Sequence, residues 1–173
     1  GIEYYLEVLP VEDVKLNFGF TAVNAYLSSF TGSFNQLNNA AAARGTPIEV
    51  LGKQLGNVQP YTITAGGEWK MDQYVEGVTF NWLLKSWPKY YSNTLQQNYG
   101  NSTYNPTNVS SEMGGATVID LGVRYRAAKQ VTFTLSAQNV GNAQYVTNPS
   151  TTSSQVPYTG MPFTVLGGFE FNY

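Results

Sequence analysis

Hydrophobic and polar residues alternate one by one along most of this chain. Between Val14 and Ala22, apolar side chains occupy the even positions, while polar residues or glycine occupy the odd ones. Because successive side chains of a β-strand point to opposite faces, this pattern predicts strands with one apolar and one polar face. The pattern is present in 2–8, 14–22, 61–71, 77–85, 117–126, 130–138 and 163–173. No segment has the period of a long helix, so we predict an all-β protein of about seven strands.

The connections between the predicted strands are alternately short and long. The short connections are 10–13, 72–75 and 127–129, and the long ones are 31–57, 91–115 and 142–159. The long connections are rich in Asn, Ser, Thr, Gly and Pro, which are the residues that favour loops. Loops of this length are uncommon in compact domains and usually carry function. The order predicts an antiparallel up-and-down sheet with one tight end and one elaborated end.

Strand length separates two kinds of all-β protein that both alternate in this way. A tilted strand needs about 9–11 residues to cross a bilayer, whereas ordinary strands average about 5–6 residues. Short turns on one side and long loops on the other are typical of outer-membrane barrels. Aromatic residues near strand ends fit the headgroup level of a membrane. They are Tyr26, Tyr61 and Trp87 toward the long loops, and Trp69, Tyr125 and Tyr173 toward the short turns. The pattern favours a transmembrane β-barrel, with a soluble β-sandwich binding domain as an alternative.

The composition fits a wall between lipid and water. Charged residues make up 12% of the chain, about half the usual share, and aromatic residues make up 14%. Inside a bilayer every backbone polar group must pair within the protein, so the sheet must close and its inner face can be polar. The residues predicted to face this lumen are Lys15, Glu68, Lys70, Asn81, Lys85, Asp120, Arg124 and Arg126. For most of them, solvation or pairing across strands is the simpler explanation.

Several classes of function are excluded by what the chain lacks. It contains no His and no Cys, which excludes a Ser–His–Asp triad, an imidazole zinc site and a thiol nucleophile. Its net charge is −2, whereas a nucleic-acid surface needs a basic stripe. The carboxylates are scattered and no base–nucleophile pair is evident. We therefore expect no enzyme, no metal, no cofactor and no nucleic-acid partner.

The predicted strand count points to a segment of a larger barrel. Bacterial single-chain barrels have an even number of strands, from 8 upward, whereas seven is odd. The chain also starts without Met, inside a predicted strand. We therefore expect it to be part of a longer protein.

Four stretches carry recognisable motifs. Residues 52–60 contain Leu55 and Asn57 before a proline, and Asp120 precedes Tyr125 by five positions. Residues 138–145 contain Asn139, Asn142 and Tyr145. Residues 158–163 contain a Gly-Met-Pro triplet. In this order, they resemble the end of the barrel of TonB-dependent outer-membrane receptors. Two positions depart from the family pattern: Gly56 stands where proline is common, and Met161 where arginine is common.

The resemblance implies a fold, a location and a set of partners. It implies that residues 1–173 are the C-terminal segment of a 22-strand barrel in the bacterial outer membrane, with the plug domain and the earlier strands absent. It implies energised uptake of a scarce nutrient of the siderophore, cobalamin or oligosaccharide type. The implied partners are outer-membrane lipid, the rest of the barrel and the plug, a periplasmic energy-coupling protein that acts through the plug, and the barrel-assembly machinery. A terminal assembly signal is implied at Phe163, Val165, Phe169, Phe171 and Tyr173.

Ligand contact is predicted on the long loops. Aromatic and charged side chains there are the candidates: Arg44, Tyr90, Tyr91, Tyr99, Tyr104 and Tyr145. For each of them, loop packing or membrane-interface anchoring is the simpler explanation. A passive porin or structural barrel remains an alternative function, and the sequence leaves the substrate open.

Overall fold

The computed structural model describes residues 1–26, 28–29, 52, 54–91, 112–148 and 158–172. The secondary structure in these ranges is made of strands. In chain order they are β1 (Ile2–Val11), β2 (Val14–Ala22), β3 (Tyr61–Lys70), β4 (Val78–Trp87), β5 (Tyr90–Tyr91), β6 (Glu112–Met113), β7 (Ala116–Arg126), β8 (Val131–Gln138), β9 (Val146–Asn148), β10 (Tyr158–Thr159) and β11 (Thr164–Phe171). Among the described residues, no helix long and apolar enough to cross a membrane is present.

Seven strands form one antiparallel sheet in the order β1-β2-β3-β4-β7-β8-β11. Each long strand pairs with the long strand that precedes it in the chain, which is the up-and-down arrangement. The all-β prediction and its seven strands are confirmed. The long connections are not pure loops, however, because β5 pairs with β6 inside one of them and β9 pairs with β10 inside another.

The first turn is tighter than the sequence predicted. Residues 10–13 were expected to connect two strands, yet β1 continues to Val11, which pairs with Val14 across a two-residue turn. Pro10 has no N–H for the sheet and lies where the β1–β2 register shifts, between Val8 and Val11. Such irregularities accommodate a proline within a strand. The strand therefore continues past Pro10.

The register separates the sheet into an apolar and a polar face. Directly paired residues of antiparallel strands lie on the same face, so rows of partners can be followed across all seven strands. One such row is Val8, Leu16, Gly67, Trp82, Leu121, Ala137 and Val165. A row on the opposite face is Lys70, Thr79, Arg124, Thr134 and Gly168. The alternation seen along the chain thus becomes two continuous surfaces.

In the described part of the chain, the apolar face has no second layer packed on it. Its large side chains are exposed on the edge strand β11 as well as on β1, and Phe169 reaches 77% exposure. A soluble β-sandwich buries this kind of face against a second sheet. The sheet is open, with β1 and β11 at its two edges. It is therefore a segment of a barrel wall, and the sandwich alternative does not describe it.

Candidate functional site

The eight residues predicted to line a lumen share the polar face of the sheet. Lys15 pairs with Glu68, and Glu68 pairs in turn with Asn81. Thr79 is the common partner of Lys70 and Arg124. The remaining members lie on the same face of β4 and β7: Lys85, Asp120 and Arg126. Strands that are far apart in the sequence thus build one polar surface, and its orientation toward a lumen is proposed below.

The charges on the polar face are mostly unpaired. Lys15 Nζ lies 2.9 Å from a carboxylate oxygen of Glu7, which also accepts a hydrogen bond from the Tyr5 hydroxyl. This pair is solvent-exposed, so it contributes little to stability. Among the described residues, neither Arg124 nor Arg126 has an ion-pair partner. The polar face therefore carries exposed cations, such as Arg124 and Arg126, together with exposed carboxylates, such as Glu3 and Glu170.

Two amide side chains of the polar face lie along neighbouring strands. Asn81 covers Gly122, where an added Cβ would lie 2.5 Å from the Asn81 Oδ1 atom. Asn17 covers Gly66 in the same way, with a distance of 2.7 Å from its Oδ1 atom. Glycine leaves the room that each amide fills. These two amides therefore lie flat against the sheet at the centre of the polar face.

Asn139 organises the connection that follows β8. Its side chain is 2% exposed and its φ is 50°, in the left-handed region that asparagine tolerates. The Oδ1 atom accepts a hydrogen bond from the Ala143 N–H, and the Nδ2 atom donates to the carbonyl oxygens of Ala143 and Met161. The Asn139 N–H donates to Asp120 Oδ1 over 2.7 Å. Asp120, which was predicted as a lumen residue, thus anchors the backbone of Asn139 to β7.

Asn142, Tyr145 and Gly160 complete the same assembly. The Asn142 Oδ1 atom accepts a hydrogen bond from the Phe163 N–H, and the Gly160 N–H donates to the Tyr145 carbonyl. A Cβ on Gly160 would lie 2.0 Å from the Tyr145 ring, so the ring needs glycine there. Three of the four motifs that were noted separately in the sequence therefore meet in space.

A small hydrophobic core lies beside this assembly. Trp87 and Met113 are 8% and 1% exposed, and Tyr90 is buried with them. The Tyr145 ring packs edge-on against Trp87, with 5.1 Å between centroids and 84° between planes. Lys85 Nζ lies 5.7 Å from the Trp87 ring centre, within the range of a cation–π contact. Other residues packed against this core are Ala116, Val118 and Val146.

The prediction that Trp87 anchors the chain at the membrane interface is wrong. Trp87 has the same parity in β4 as Lys85, so it lies on the polar face, and the core described above buries it. Tyr61, Trp69 and Tyr125 lie on the apolar face and are exposed. A position near a strand end does not by itself distinguish an aromatic residue of the apolar face from one that packs on the polar face.

The structure describes three of the six predicted ligand contacts. Tyr90 is buried in the small core, Tyr145 packs on Trp87, and Tyr91 is half-buried, its carbonyl oxygen accepting the Asn57 N–H over 2.7 Å. The other three lie outside the described residues: Arg44, Tyr99 and Tyr104. Ligand contact stays a prediction for all six. In the described part of the chain, no cluster of acidic residues could hold a metal ion.

The predicted assembly signal lies on the apolar face of the edge strand. Phe163 precedes β11, and Val165, Phe169 and Phe171 follow on the same side, all of them exposed. Tyr173 lies outside the described residues. A role in assembly stays a prediction.

A family model and several solved structures match this chain. A family model described as TonB dependent receptor-like, beta-barrel, matches residues 1–140. The siderophore receptor PiuA from Acinetobacter baumannii is similar over 99% of this chain and 21% of its own, with 16% identity and a TM-score of 0.72. FpvA of P. aeruginosa, bound to heterologous pyoverdines, is similar over 98% of this chain and 19% of its own, with 13% identity and a TM-score of 0.67.

A third solved structure is the ferric preacinetobactin receptor BauA from Acinetobacter baumannii. It is similar over 98% of this chain and 22% of its own, with 21% identity and a TM-score of 0.64. This chain thus spans about a fifth of the length of these receptors. A comparison with curated proteins found no match. The match over most of the chain, on a sheet with one polar and one apolar face, shows that the chain belongs to the β-barrel family of TonB-dependent receptors in the bacterial outer membrane.

Proposed function

We propose that the protein is a receptor for the energised uptake of a scarce nutrient, and that this chain forms part of its barrel wall. The family match over residues 1–140 is the observation that carries the proposal. The open edges at β1 and β11 support it, because unpaired edges cannot sit in lipid and need further strands of the same barrel. The other partners would be a plug domain, a periplasmic energy-coupling protein that acts through it, and the barrel-assembly machinery.

The two faces of the sheet take opposite sides of the wall in this proposal. The continuous apolar face contacts lipid, because its large side chains have no other cover in the described part of the chain. The polar face lines the lumen, where water solvates its charges. Lys85, Arg124 and Arg126 then lie along the path of the cargo.

An iron chelate is the first substrate class to test. The similar structures PiuA and BauA are described as a siderophore receptor and a ferric preacinetobactin receptor. Arg124 and Arg126 offer contacts for anionic groups of a cargo, although carboxylates such as Glu68 lie on the same face. The family is one of transport receptors, so we propose transport without enzymatic activity. Among the described loop candidates, Tyr91 is the one that we propose as a ligand contact, because Tyr90 and Tyr145 are packed in the small core.

The proposal is tested in a strain whose gene for the full-length protein is deleted. The deletion strain, its parent and the deletion strain complemented with the gene are grown under iron limitation. Each is offered iron-labelled siderophores of the catecholate and hydroxamate classes. Labelled cobalamin and oligosaccharides are offered in parallel. We expect uptake of one class that depends on the gene and stops when the proton gradient is dissipated.

Two outcomes would contradict the proposal. Gene-dependent entry that continues without a proton gradient indicates a passive porin. If the deletion strain takes up every compound at the parental rate, the protein is not a receptor for any of them. Gene-dependent, energised uptake of cobalamin or an oligosaccharide would keep the receptor but replace the substrate class.

A further inference from the structure

The three long connections meet at their bases in the described part of the chain. Trp87 ends β4, Tyr90 and Met113 belong to the small β5–β6 sheet, and Tyr145 and Val146 lie after β8. We call these five residues the loop-base cluster. Its members come from the β4–β7 and β8–β11 connections, so one core serves both.

Among the described residues, a backbone hydrogen bond joins the first long connection to this unit. The Asn57 N–H donates a 2.7 Å hydrogen bond to the carbonyl oxygen of Tyr91, which follows Tyr90 directly. Asn57 lies in a turn before β3, with a φ of 61° in the left-handed region that asparagine tolerates. The same connection is closed on itself by other bonds, such as that from the Val23 N–H to the Pro60 carbonyl oxygen.

Tyr145 holds the central place in this arrangement. One side of its ring packs edge-on against Trp87, and the Gly160 backbone lies against the ring at a distance that leaves no room for a Cβ. Its carbonyl oxygen accepts the Gly160 N–H. The described contacts of the side chain involve the ring, so a phenylalanine would preserve them.

We propose that Tyr145 is a positioning residue that couples the bases of all three long connections. Through Trp87 it fixes the β5–β6 sheet, and through Tyr91 it fixes the turn at Asn57. The ring thereby sets the place of Tyr91, a predicted ligand contact, without touching the ligand. The coupling itself does not depend on the transport proposal, whereas its effect on ligand binding rests on it.

Hydrogen exchange of the purified full-length receptor, without ligand, tests the coupling. We compare the wild type with Tyr145→Ala and Tyr145→Phe, and we use Tyr125→Ala, which removes an exposed tyrosine at the far end of β7, as the matched control. Tyr145→Ala should speed exchange of the Asn57 amide by about tenfold or more, because the contact that holds Tyr91 is loosened. The Val23 amide should keep its exchange rate in Tyr145→Ala. All amides should keep their rates in Tyr145→Phe, and the Asn57 amide should keep its rate in Tyr125→Ala.

A second arm measures the energetic coupling between Tyr145 and Trp87. Trp87→Leu alone should speed the Asn57 amide as Tyr145→Ala does, and the double variant should add little more, because both changes break one contact. Faster exchange confined to Gly160 and its neighbours would overturn the proposal. Additive effects of the two substitutions would overturn it as well.

Ligand binding provides a readout that separates this inference from the proposed function. With the siderophore taken up by the wild type, Tyr145→Ala should raise the dissociation constant about tenfold, and Tyr145→Phe should leave it unchanged. If Tyr145→Ala binds the siderophore with unchanged affinity, Tyr145 does not position the ligand contacts. If the wild type binds no siderophore, the proposed substrate class fails, while the exchange experiment still decides the coupling.

Discussion

The wall of the sheet and the base of the long connections are stabilised in different ways. Along the wall, side chains alternate between two surfaces. Among the described residues of the seven-stranded sheet, the one large side chain that is buried is Trp87, at the end of β4. At the loop base, Trp87, Tyr90 and Met113 are buried together in one core, and Asn139, in the connection that contributes Tyr145 to that core, is buried as well. The wall is a single layer, whereas the loop base is a small core.

This difference determines what each region tolerates. A single layer has no interior, so the effect of a substitution in the wall depends on whether its face meets lipid or water. A packed core responds to lost volume and unpaired polar groups, whichever face of the sheet lies nearby. Four predictions test this contrast, from the largest expected effect to the smallest.

The largest effect is expected at the apolar side of β11. Replacing both Phe169 and Phe171 by Asp should strongly reduce the folded barrel in the outer membrane, because an edge strand with charges toward lipid cannot join the wall. The amount of heat-modifiable barrel in intact cells that express the full-length protein measures this. Glu170→Asn and Thr164→Asn change the opposite side of β11 and serve as controls. Normal yield of the double variant would show that the apolar side is only packing.

Leu83 and Leu84 form a matched pair for the wall. They are adjacent in β4, but Leu84 pairs with Ala65 on the apolar face, while Leu83 pairs with Gly66 on the polar face and is 44% exposed. Leu84→Arg should destabilise the folded barrel in bilayers by about 2–4 kcal/mol, and Leu83→Arg by much less, because only the first puts a charge in lipid. Unfolding in urea measures both. Equal losses would contradict the assignment of the two faces.

Asn139 and Asn142 form the corresponding pair for the loop base. Asn139→Ala removes the side-chain partner of the half-buried Ala143 N–H and of the Met161 carbonyl oxygen, and should lower the free energy of unfolding by about 1–3 kcal/mol. Asn142→Ala removes one bond at an exposed position and should cost less, although its φ is positive too. The similar φ values cancel most of the backbone strain in the comparison. Hydrogen exchange at the Val140 amide, which bonds to Ile119, reports the local opening. Equal effects would show that burial of Asn139 is unimportant.

The smallest effect is expected for the ion pair beside the loop base. Lys89 Nζ lies 3.4 Å from a Glu112 carboxylate oxygen, and both side chains are largely exposed to solvent. Such pairs contribute little, so Lys89→Ala should leave urea unfolding and loop-base exchange within experimental error. Trp87→Leu provides the contrasting variant in the same connection. A loss as large as that of Trp87→Leu would mean that charge, and not packing, holds the loop base.

The strands could be predicted because each carries its own signal. In β2, the alternation from Val14 to Ala22 indicates which residues share a face. This prediction needs no knowledge of the strands that pair with β2. Pro10 was misjudged because proline usually marks a connection, and only the shifted register of the β1–β2 pair shows that the strand continues. Trp87 was misjudged because its face depends on the parity of its position in β4.

The loop base could not be assembled from sequence. Met113 follows a long polar connection with no periodic pattern, so nothing local marks it as the most buried residue of the core. The motif residues Asn139, Tyr145 and Gly160 were visible as separate signals, but their common purpose was not. Only the fold reveals that they share hydrogen bonds and a ring contact.

By itself, the sequence determined the all-β class, the two-faced strands and the alternation of short and long connections, because side-chain period and turn chemistry are local properties. The tertiary structure alone decided the register, which joins Lys70, Thr79 and Arg124 into one row, and the burial of Asn139 after β8. Both depend on which segments meet across long stretches of chain. Side chains such as Trp87 and Tyr145 acquire their partners only when β4 and the connection after β8 are brought together.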